Sequence, residues 1–138
     1  MIAFPVAAYD DLVDHAIDRA PEECCGILTG SRDGSQAHVE AVHRTENVAD
    51  EPRTTYEVDP VEQLEIMTAC EDRGRDVVGF YHSHPAGPGG PSPTDRARAT
   101  WVDHTHVIVS LDGVHPFVGA WFLTDEGFEP EVVAIDPA

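Results

Sequence analysis

Residues 76–84 constrain the fold more than any other stretch of this chain, and they read Asp-Val-Val-Gly-Phe-Tyr-His-Ser-His. From Val77 to Tyr81 the residues are apolar almost throughout, which is typical of a strand covered on both faces. Such a strand lies in the middle of a sheet, with other strands beside it and helices over it. The run ends in His82 and His84, so two polar rings follow a buried strand.

Three helices are predicted around this strand. Apolar residues at helical spacing predict the first over 10–20. Asp59 as N-cap and Pro60 at the first helical position predict a second helix, which runs to about residue 73. Its inner face is expected to carry Val61, Leu64, Ile66 and Met67. The third helix is predicted to open at Ser92-Pro93 and to run through about residue 101.

The remaining patterns are extended. Beside 76–84, strands are predicted over 24–29, 37–44, 106–111, 116–124 and 128–135. The resulting order, α-β-β-α-β-α-β-β-β, predicts the α/β class, with a mixed β-sheet and flanking helices. At 138 residues the chain is expected to form a single domain, 1–138, with a core of its own.

His82 and His84 are spaced i, i+2, which places both side chains on one face of a strand, about 7 Å apart along it. Two polar groups so close together on a buried strand are costly unless they share a function, and metal ligation supplies one. Asp95 follows after a short Gly/Pro-rich loop and offers a third, anionic ligand. Two histidines and a carboxylate, with a fourth position open to water, are typical of a catalytic Zn²⁺ site. The sequence therefore predicts a metal-dependent hydrolase.

Ser92 and Asp95 also have a purely structural interpretation. Ser-x-x-Asp at a helix start, with Pro93 at the first helical position, is a variant of the capping box. The two interpretations are compatible, because a capped first turn fixes the backbone of a ligand that it carries.

A hydrolytic metal site also needs a proton acceptor for the attacking water. The stretch 82–95 contains no second carboxylate, so the base has to come from elsewhere. Glu22 and Glu23 directly precede the predicted buried strand 24–29, where a free carboxylate is otherwise unwelcome. The pattern alone does not decide between them.

Two other groups of reactive side chains have simpler interpretations. Cys24, Cys25 and Cys70 form no CxxC pair, so inert buried thiols are expected rather than disulfides or a redox site. His104 and His106 form a second H-x-H pair, but no third ligand lies nearby in sequence. They line the cleft or lie at a strand end.

The composition indicates the solvent in which the protein works and excludes some kinds of partner. The net charge is −18, and all eight basic residues are arginine. A chain this acidic offers no basic patch for nucleic acid, and none of its apolar runs is long enough to span a membrane. The start of the sequence does not read as a signal peptide, so a cytoplasmic location is expected. The lysine-free acidic surface is typical of a high-salt cytoplasm, where molar salt shortens the Debye length to about 3 Å.

Taken together, these motifs resemble a known family. His82-Ser83-His84-Pro85, followed by Pro91-Ser92-x-x-Asp95, matches the JAMM motif of the JAMM/MPN+ zinc metallopeptidases. The segment 23–30 is similar to the family's E-x-x-G-x-L-x-G element, and Asn47 with 56–60 resembles its middle segment. The resemblance covers roughly residues 2–123 and departs from the family at no catalytic position.

The resemblance implies a role for each residue. His82, His84 and Asp95 would bind zinc, and Glu23 rather than Glu22 would be the general base. Ser92 would stabilise the oxyanion. It also implies the MPN/JAMM architecture, which is similar to that of cytidine deaminases.

The resemblance further implies a substrate class. The chain is short and lacks room for the insertions with which larger members hold ubiquitin chains. The lysine-free, strongly acidic composition points to a haloarchaeon, whose JAMM proteins resemble desampylases. These are isopeptidases that cleave ubiquitin-like small archaeal modifier proteins from lysines after a Gly-Gly terminus. Such a slim tail is expected to pass Gly87, Gly89 and Gly90. Two alternatives remain open, a peptidase that trims a sulfur-carrier protein and a non-enzymatic MPN scaffold, although a scaffold need not retain the five site residues.

Overall fold

One mixed sheet of eight strands, in the order β7-β6-β5-β4-β2-β3-β1-β8, organises residues 1–136, the part of the chain that the computed structural model describes. The strands are β1 (Ile2–Pro5), β2 (Cys25–Asp33), β3 (Gln36–Thr45), β4 (Asp76–His84), β5 (Thr105–Ser110), β6 (Phe117–Thr124), β7 (Gly127–Glu131) and β8 (Val133–Asp136). The helices within this range are α1 (Val6–Arg19), α2 (Pro60–Asp72) and α3 (Pro93–Ala97). Among the described residues, no helix has both the length and the apolar character that a bilayer span requires.

Strand β4 lies in the interior of the sheet, as its apolar run predicts. It pairs antiparallel with β2 and parallel with β5, so both of its edges are hydrogen-bonded. His82 lies opposite Cys25 on one side and opposite Ile108 on the other. The α/β class with a mixed sheet is confirmed, and the predicted bounds of β4 are correct.

Most other predicted elements are present with shifted ends. Helix α1 begins at Val6, four residues before the predicted start, and strand β2 continues to Asp33. Helix α3 ends at Ala97 instead of running to residue 101, where Trp101 has a positive φ of 65°. Strand β1 was not among the predicted elements, because four residues are too few to show a periodicity.

The prediction of one strand over 128–135 is wrong. The segment forms two strands that Val132 separates, and they pair at opposite edges of the sheet: β7 with β6, and β8 with β1. Because consecutive strands occupy opposite edges, the sheet has to curl until the two edges approach each other. A salt bridge of 3.0 Å between the N-terminal ammonium group of Met1 and Glu131 joins these edges.

Helix α2 confirms its predicted start but only part of its predicted inner face, where Ile66 and Met67 are half-buried. The side chain of Asp59 accepts a hydrogen bond from Val61 N at 2.9 Å, and Gly74 follows the helix with φ 68°. However, Val61 is 64% exposed and Leu64 is 68% exposed. The helix covers the sheet with its other side, where Cys70 is buried, so the first two turns lie at the rim of a cleft instead of over the core.

The main core lies between α1 and the face of the sheet opposite to the one that α2 covers. It contains mostly apolar side chains, including Phe4, Leu12, Leu28, Val107 and Val109. An imidazole is buried beside this core: His15 of α1 is only 2% exposed and shares a 2.7 Å hydrogen bond with the hydroxyl of Tyr81. Burial lowers the pKa of His15 to about 4, with a smaller contribution from Arg44, so the ring is neutral in the folded protein.

This histidine makes stability depend on pH. In the unfolded chain the His15 pKa returns to about 6.5, so below that pH the unfolded state takes up a proton that the folded state does not. We expect this contribution to be complete above pH 6.5 and to be lost as the pH falls towards 4, by up to about 3 kcal/mol. Urea unfolding in molar salt at pH 7, 5.5 and 4.5 measures it. The variant His15→Gln should lose less stability over the same interval, and an equal loss in both proteins would contradict the assignment.

Candidate active site

The end of β4 brings three ligand atoms to one point. His82 and His84 lie on the same face of the strand, and their Nε2 atoms are 3.2 Å apart. The Oδ2 atom of Asp95 lies 3.1 Å from the first and 3.0 Å from the second. All three side chains are 10% exposed or less, so the triangle that they form is nearly closed to solvent.

The chemistry of this triangle fits a metal ion. Ligands that are about 2.0–2.1 Å from a tetrahedral ion lie about 3.3–3.4 Å from each other, which is close to the observed spacing. His84 Nδ1 is 2.8 Å from the carbonyl oxygen of Pro88, which can only accept, so this nitrogen carries the proton. The lone pair of neutral His84 Nε2 then faces the carboxylate oxygen of Asp95. Two acceptors at 3.0 Å require a cation between them or a proton on the ring.

Helix α3 presents Asp95 by means of a complete capping box. The Oγ atom of Ser92 accepts a hydrogen bond from Asp95 N at 3.0 Å, and Ser92 N donates to Asp95 Oδ2 at 2.9 Å. The Oδ2 atom that faces the two imidazoles is therefore also fixed to the first turn of the helix. The capping interpretation and the ligand geometry hold at the same time.

The electrostatics of the triangle favour an ionised carboxylate. Burial alone would raise the pKa of Asp95, but its contacts with the two imidazoles and the hydrogen bond from Ser92 N hold it well below its usual range. Burial lowers the pKa of His82, which favours the neutral ring that a metal ligand needs. For His84 the interactions with Asp95 and with the carbonyl group of Pro88 outweigh burial and raise the pKa.

Glu23 supplies a second carboxylate beside the triangle. Its side chain is buried, and the residue is 6% exposed. One carboxylate oxygen of Glu23 and one ring nitrogen from each of His82 and His84 lie within 4.8 Å of one another. Its Oε1 atom is the one buried side-chain polar atom within residues 1–136 that has no hydrogen-bond partner. Burial, which is the largest effect, and the charge of Asp95 raise the pKa of Glu23 to about 7, while His84 lowers it. Glu22 is exposed, so the structure distinguishes the two glutamates that the pattern left open.

Two residues to which the sequence analysis assigned no role also contact the site. The ring of Tyr56 stacks on the imidazole of His82, with centroids 4.2 Å apart and planes inclined by 18°. Asn47 donates a 2.9 Å hydrogen bond from its side chain to the carbonyl oxygen of Glu23. Both belong to the segment that resembles the family's middle part, which was the available signal. Neither residue type by itself indicates a site.

A cleft of about 580 Å³ opens beside the triangle. His82 and Asp95 form one end of it, and its walls come from the segment 55–63 and from the region between α3 and β5. Aromatic side chains dominate the far end, namely Phe80, Trp101, His106 and Phe128. Of the second H-x-H pair, His106 lines the cleft, whereas His104 does not, and neither belongs to a described cluster of potential metal ligands.

The three glycines of the loop after β4 face the protein's own side chains. A Cβ atom at Gly89 would lie 2.9 Å from the ring of Phe117, and one at Gly90 would lie 3.6 Å from Trp121. At Gly87 the nearest atom is the Cβ atom of His84, at 3.2 Å. Phe117 is 55% exposed and its ring can move, so the packing of the loop does not by itself demand glycine at position 89.

The cysteines are buried free thiols, as expected. Burial is the largest effect on both adjacent cysteines and raises the pKa of Cys24 to about 11 and that of Cys25 to about 12. Neither thiol is ionised near neutral pH, so the reactive groups of the site are the carboxylates and the imidazoles.

Comparison with known proteins assigns the family. Residues 5–124 match the family described as prokaryotic homologues of the JAB domain. The chain belongs to this family. The assignment confirms the resemblance to JAMM/MPN+ proteins. Among solved structures, a protein of Desulfitobacterium hafniense has a TM-score of 0.91 at 29% identity, covering 100% of this chain and 94% of that one.

Relatives of this JAB-domain protein are named as a desampylase, a probable protease and a peptidase. A desampylase of Haloferax volcanii is 44% identical over 122 residues, which is 83% of this chain and 86% of that protein. A probable TtuB-protein conjugate cleaving protease of Thermus thermophilus is 37% identical and covers 88% of this chain and 74% of its own. A CysO-cysteine peptidase of Mycobacterium tuberculosis is 38% identical over 106 residues, 75% of this chain and 69% of that protein.

The triangle predicts one tightly bound metal ion per chain. Replacing His82 by alanine removes one of three converging ligand atoms, so the purified variant should contain less than a tenth of the wild-type metal. Elemental analysis after extensive dialysis measures the content. The matched control is His104→Ala, which removes a histidine outside the triangle and should keep the metal. Full occupancy in the His82→Ala protein would show that the ion lies elsewhere.

Proposed function

We propose that this chain is a zinc-dependent isopeptidase that cleaves ubiquitin-like modifier proteins from the lysines of their targets, after a C-terminal Gly-Gly. Zn²⁺ is the proposed metal, with His82, His84 and Asp95 as its ligands. Glu23 is the proposed general base, and Ser92 is the proposed oxyanion donor. The proposed site of action is a high-salt cytoplasm, which the charge of −18 and the absence of lysine support.

One observation carries the proposal. Three ligand atoms lie 3.0–3.2 Å from each other, and a buried carboxylate without a hydrogen-bond partner stands beside them. Two histidines and a carboxylate leave a position open on a tetrahedral ion, which distinguishes a catalytic site from a structural one. When bound, zinc would polarise the scissile carbonyl group and acidify a water molecule.

Glu23 is suited to move the proton. Its unpartnered Oε1 atom can accept a proton from the attacking water, and the buried carboxyl group can pass the same proton to the leaving lysine amine. A pKa that burial raises to about 7 makes the carboxylate a stronger base than an exposed glutamate at neutral pH.

Ser92 can combine its structural role with a chemical one. As a cap it uses a lone pair, because its Oγ atom accepts from Asp95 N. The hydroxyl proton remains available to donate to the oxygen atom that becomes negative when the carbonyl group is attacked.

The relatives support the substrate class. The Haloferax relative is named a desampylase and the Thermus relative a protease that cleaves TtuB-protein conjugates. The second candidate function is a peptidase that acts on a sulfur-carrier protein, and the CysO-cysteine peptidase at 38% identity favours it. The two differ in the bond that is cleaved, which is an isopeptide bond to a lysine in the first case and a linear bond at the carrier's terminus in the second.

A paired cleavage assay distinguishes these functions. The purified protein, in molar salt, is given a ubiquitin-like modifier joined to lysine through an isopeptide bond, and separately a modifier with a linear C-terminal extension. We expect faster cleavage of the branched substrate and complete inhibition by a zinc chelator. Preference for the linear substrate would favour the second candidate, and no cleavage of either would refute a peptidase function.

Replacing Glu23 by glutamine should lower kcat by about 10²–10⁴, because the amide cannot accept the proton. The metal content should stay at the wild-type level, since Glu23 is not a proposed ligand. The neighbouring exposed residue gives a matched control, and Glu22→Gln should keep full activity. An active Glu23→Gln protein would remove Glu23 from the mechanism.

Two substitutions of Ser92 separate its two roles. Ser92→Ala removes both the cap and the hydroxyl donor and should cost about 1 kcal/mol of stability. Ser92→Gly also removes the hydroxyl group, but glycine is a tolerated N-cap and should cost only a few tenths of a kcal/mol. If the hydroxyl group stabilises the oxyanion, both variants lose about 10²–10³ in kcat. Thermal unfolding and kcat are measured together, and a kcat that follows stability alone would leave capping as the whole role.

A further inference from the structure

Asn47, the only asparagine in the chain, forms more side-chain hydrogen bonds than any residue assigned a chemical role above. It lies directly after β3, where the chain enters the irregular segment 48–58, and it forms an isolated β-bridge with Val58. Its amide group connects three separate stretches of backbone, and two of them carry side chains of the candidate site.

The first stretch contains Glu23. Asn47 Nδ2 donates to the carbonyl oxygen of Glu23 at 2.9 Å. On the other side of the same residue, Glu23 N donates to the carbonyl oxygen of Pro52 at 2.7 Å. Asn47 and the segment 48–58 together therefore hold the backbone of Glu23, Asn47 at its C=O and Pro52 at its N–H, although the Oε1 atom of the carboxylate has no hydrogen-bond partner.

The second stretch contains Tyr56. Asn47 Nδ2 donates to Thr55 O at 3.0 Å, and Asn47 Oδ1 accepts from Glu57 N at 3.0 Å. These two bonds fix the backbone immediately before and after Tyr56, whose ring stacks on His82 at 4.2 Å. The position of that ring thus depends on the amide group of Asn47.

Asparagine is suited to this arrangement because its donors and acceptors are all used. The two N–H groups reach Glu23 O and Thr55 O, and the oxygen atom accepts from both Ala49 N and Glu57 N. An aspartate in this position would keep the two accepted bonds but would bring a carboxylate oxygen towards two carbonyl oxygens.

We infer that Asn47 is a positioning residue that couples the general base to the metal ligands, by holding the backbone of Glu23 and the ring of Tyr56 in one hydrogen-bond network. This inference rests on the proposed function for the roles of Glu23 and His82. Through Tyr56, Asn47 sets the orientation of the His82 imidazole, and residues that orient a metal ligand typically change affinity or activity by 10–100-fold.

The experiment compares Asn47→Ala and Asn47→Asp with the control Thr54→Ala. The side chain of Thr54 donates to Glu51 O within the same segment and forms no described hydrogen bond with Glu23 or Tyr56. Three quantities are measured: kcat and KM on the lysine-linked modifier, the midpoint of thermal unfolding, and the NMR shifts of the His82 ring protons in the protein as purified. The stacked ring of Tyr56 shifts those protons upfield, and Tyr56→Leu provides the reference without stacking.

We expect Asn47→Ala to lower kcat by 10–100-fold with KM within about threefold, and to move the His82 ring protons towards their positions in Tyr56→Leu. Asn47→Asp should behave in the same way, because the lost donors rather than the acceptor reach Glu23. In the double variant Asn47→Ala/Tyr56→Leu, the His82 shifts should move no further than in Tyr56→Leu alone. Thr54→Ala should leave all three quantities at wild-type values.

A lower unfolding midpoint with unchanged kcat and unchanged His82 shifts would show that Asn47 contributes to stability only, and would overturn the inference. Wild-type protein that fails to cleave the modifier would refute the proposed function instead. In that case the His82 shifts still decide about Asn47, since they require no substrate.

Discussion

The antiparallel ladder between β2 and β4 is the interaction on which the candidate site depends. Backbone pairing sets Cys25 opposite His82, and Ser83 N donates to Cys24 O at 3.1 Å. The hydroxyl of Ser83 adds a 2.8 Å bond from Cys24 N on the face that carries α1. A shift of one residue in this register would turn both histidines towards the apolar core. Because the register is fixed, Glu23 lies beside the two imidazoles although its Oε1 atom has no hydrogen-bond partner.

The site concentrates charge where burial makes charge costly. Two imidazoles and two carboxylates lie close together at the end of β4, a strand that is apolar over most of its length. The cost is reduced where a partner exists, as for Asp95, and it is visible where none exists, as in the raised pKa of Glu23. A cation in the triangle would offset part of this cost, so stability and chemistry at this site are coupled.

The parts that the sequence predicts correctly are those that local patterns determine. The bounds of β4, the cap at Asp59, the box at Ser92 and the shared face of the two histidines each depend on residues within four positions of one another. Asp95 was predicted as a third ligand from its place just after β4, whereas the choice of Glu23 over Glu22 came only from resemblance to a family, because β2 and β4 are far apart in sequence.

The parts that the sequence did not predict depend on tertiary contacts. Tyr56 and Asn47 acquire their roles when the segment 48–58 folds back on Glu23, and no local pattern signals this. Likewise, their helical spacing makes Val61 and Leu64 resemble core residues, but both are exposed because the cleft begins beside them. The division of 128–135 into two strands follows from the closure of the sheet, a property of all eight strands together.

The two edges of the curled sheet also affect how readily the protein aggregates. Its edges are β7, which contains Pro130 and two glutamates, and β8, which has only four residues. Short strands, proline and charge each make a strand edge a poor template for a second chain. A salt concentration that screens the surface carboxylates also removes much of the repulsion that keeps acidic proteins apart. In such a solvent the geometry of the edges, rather than the net charge, is what opposes aggregation through β-pairing.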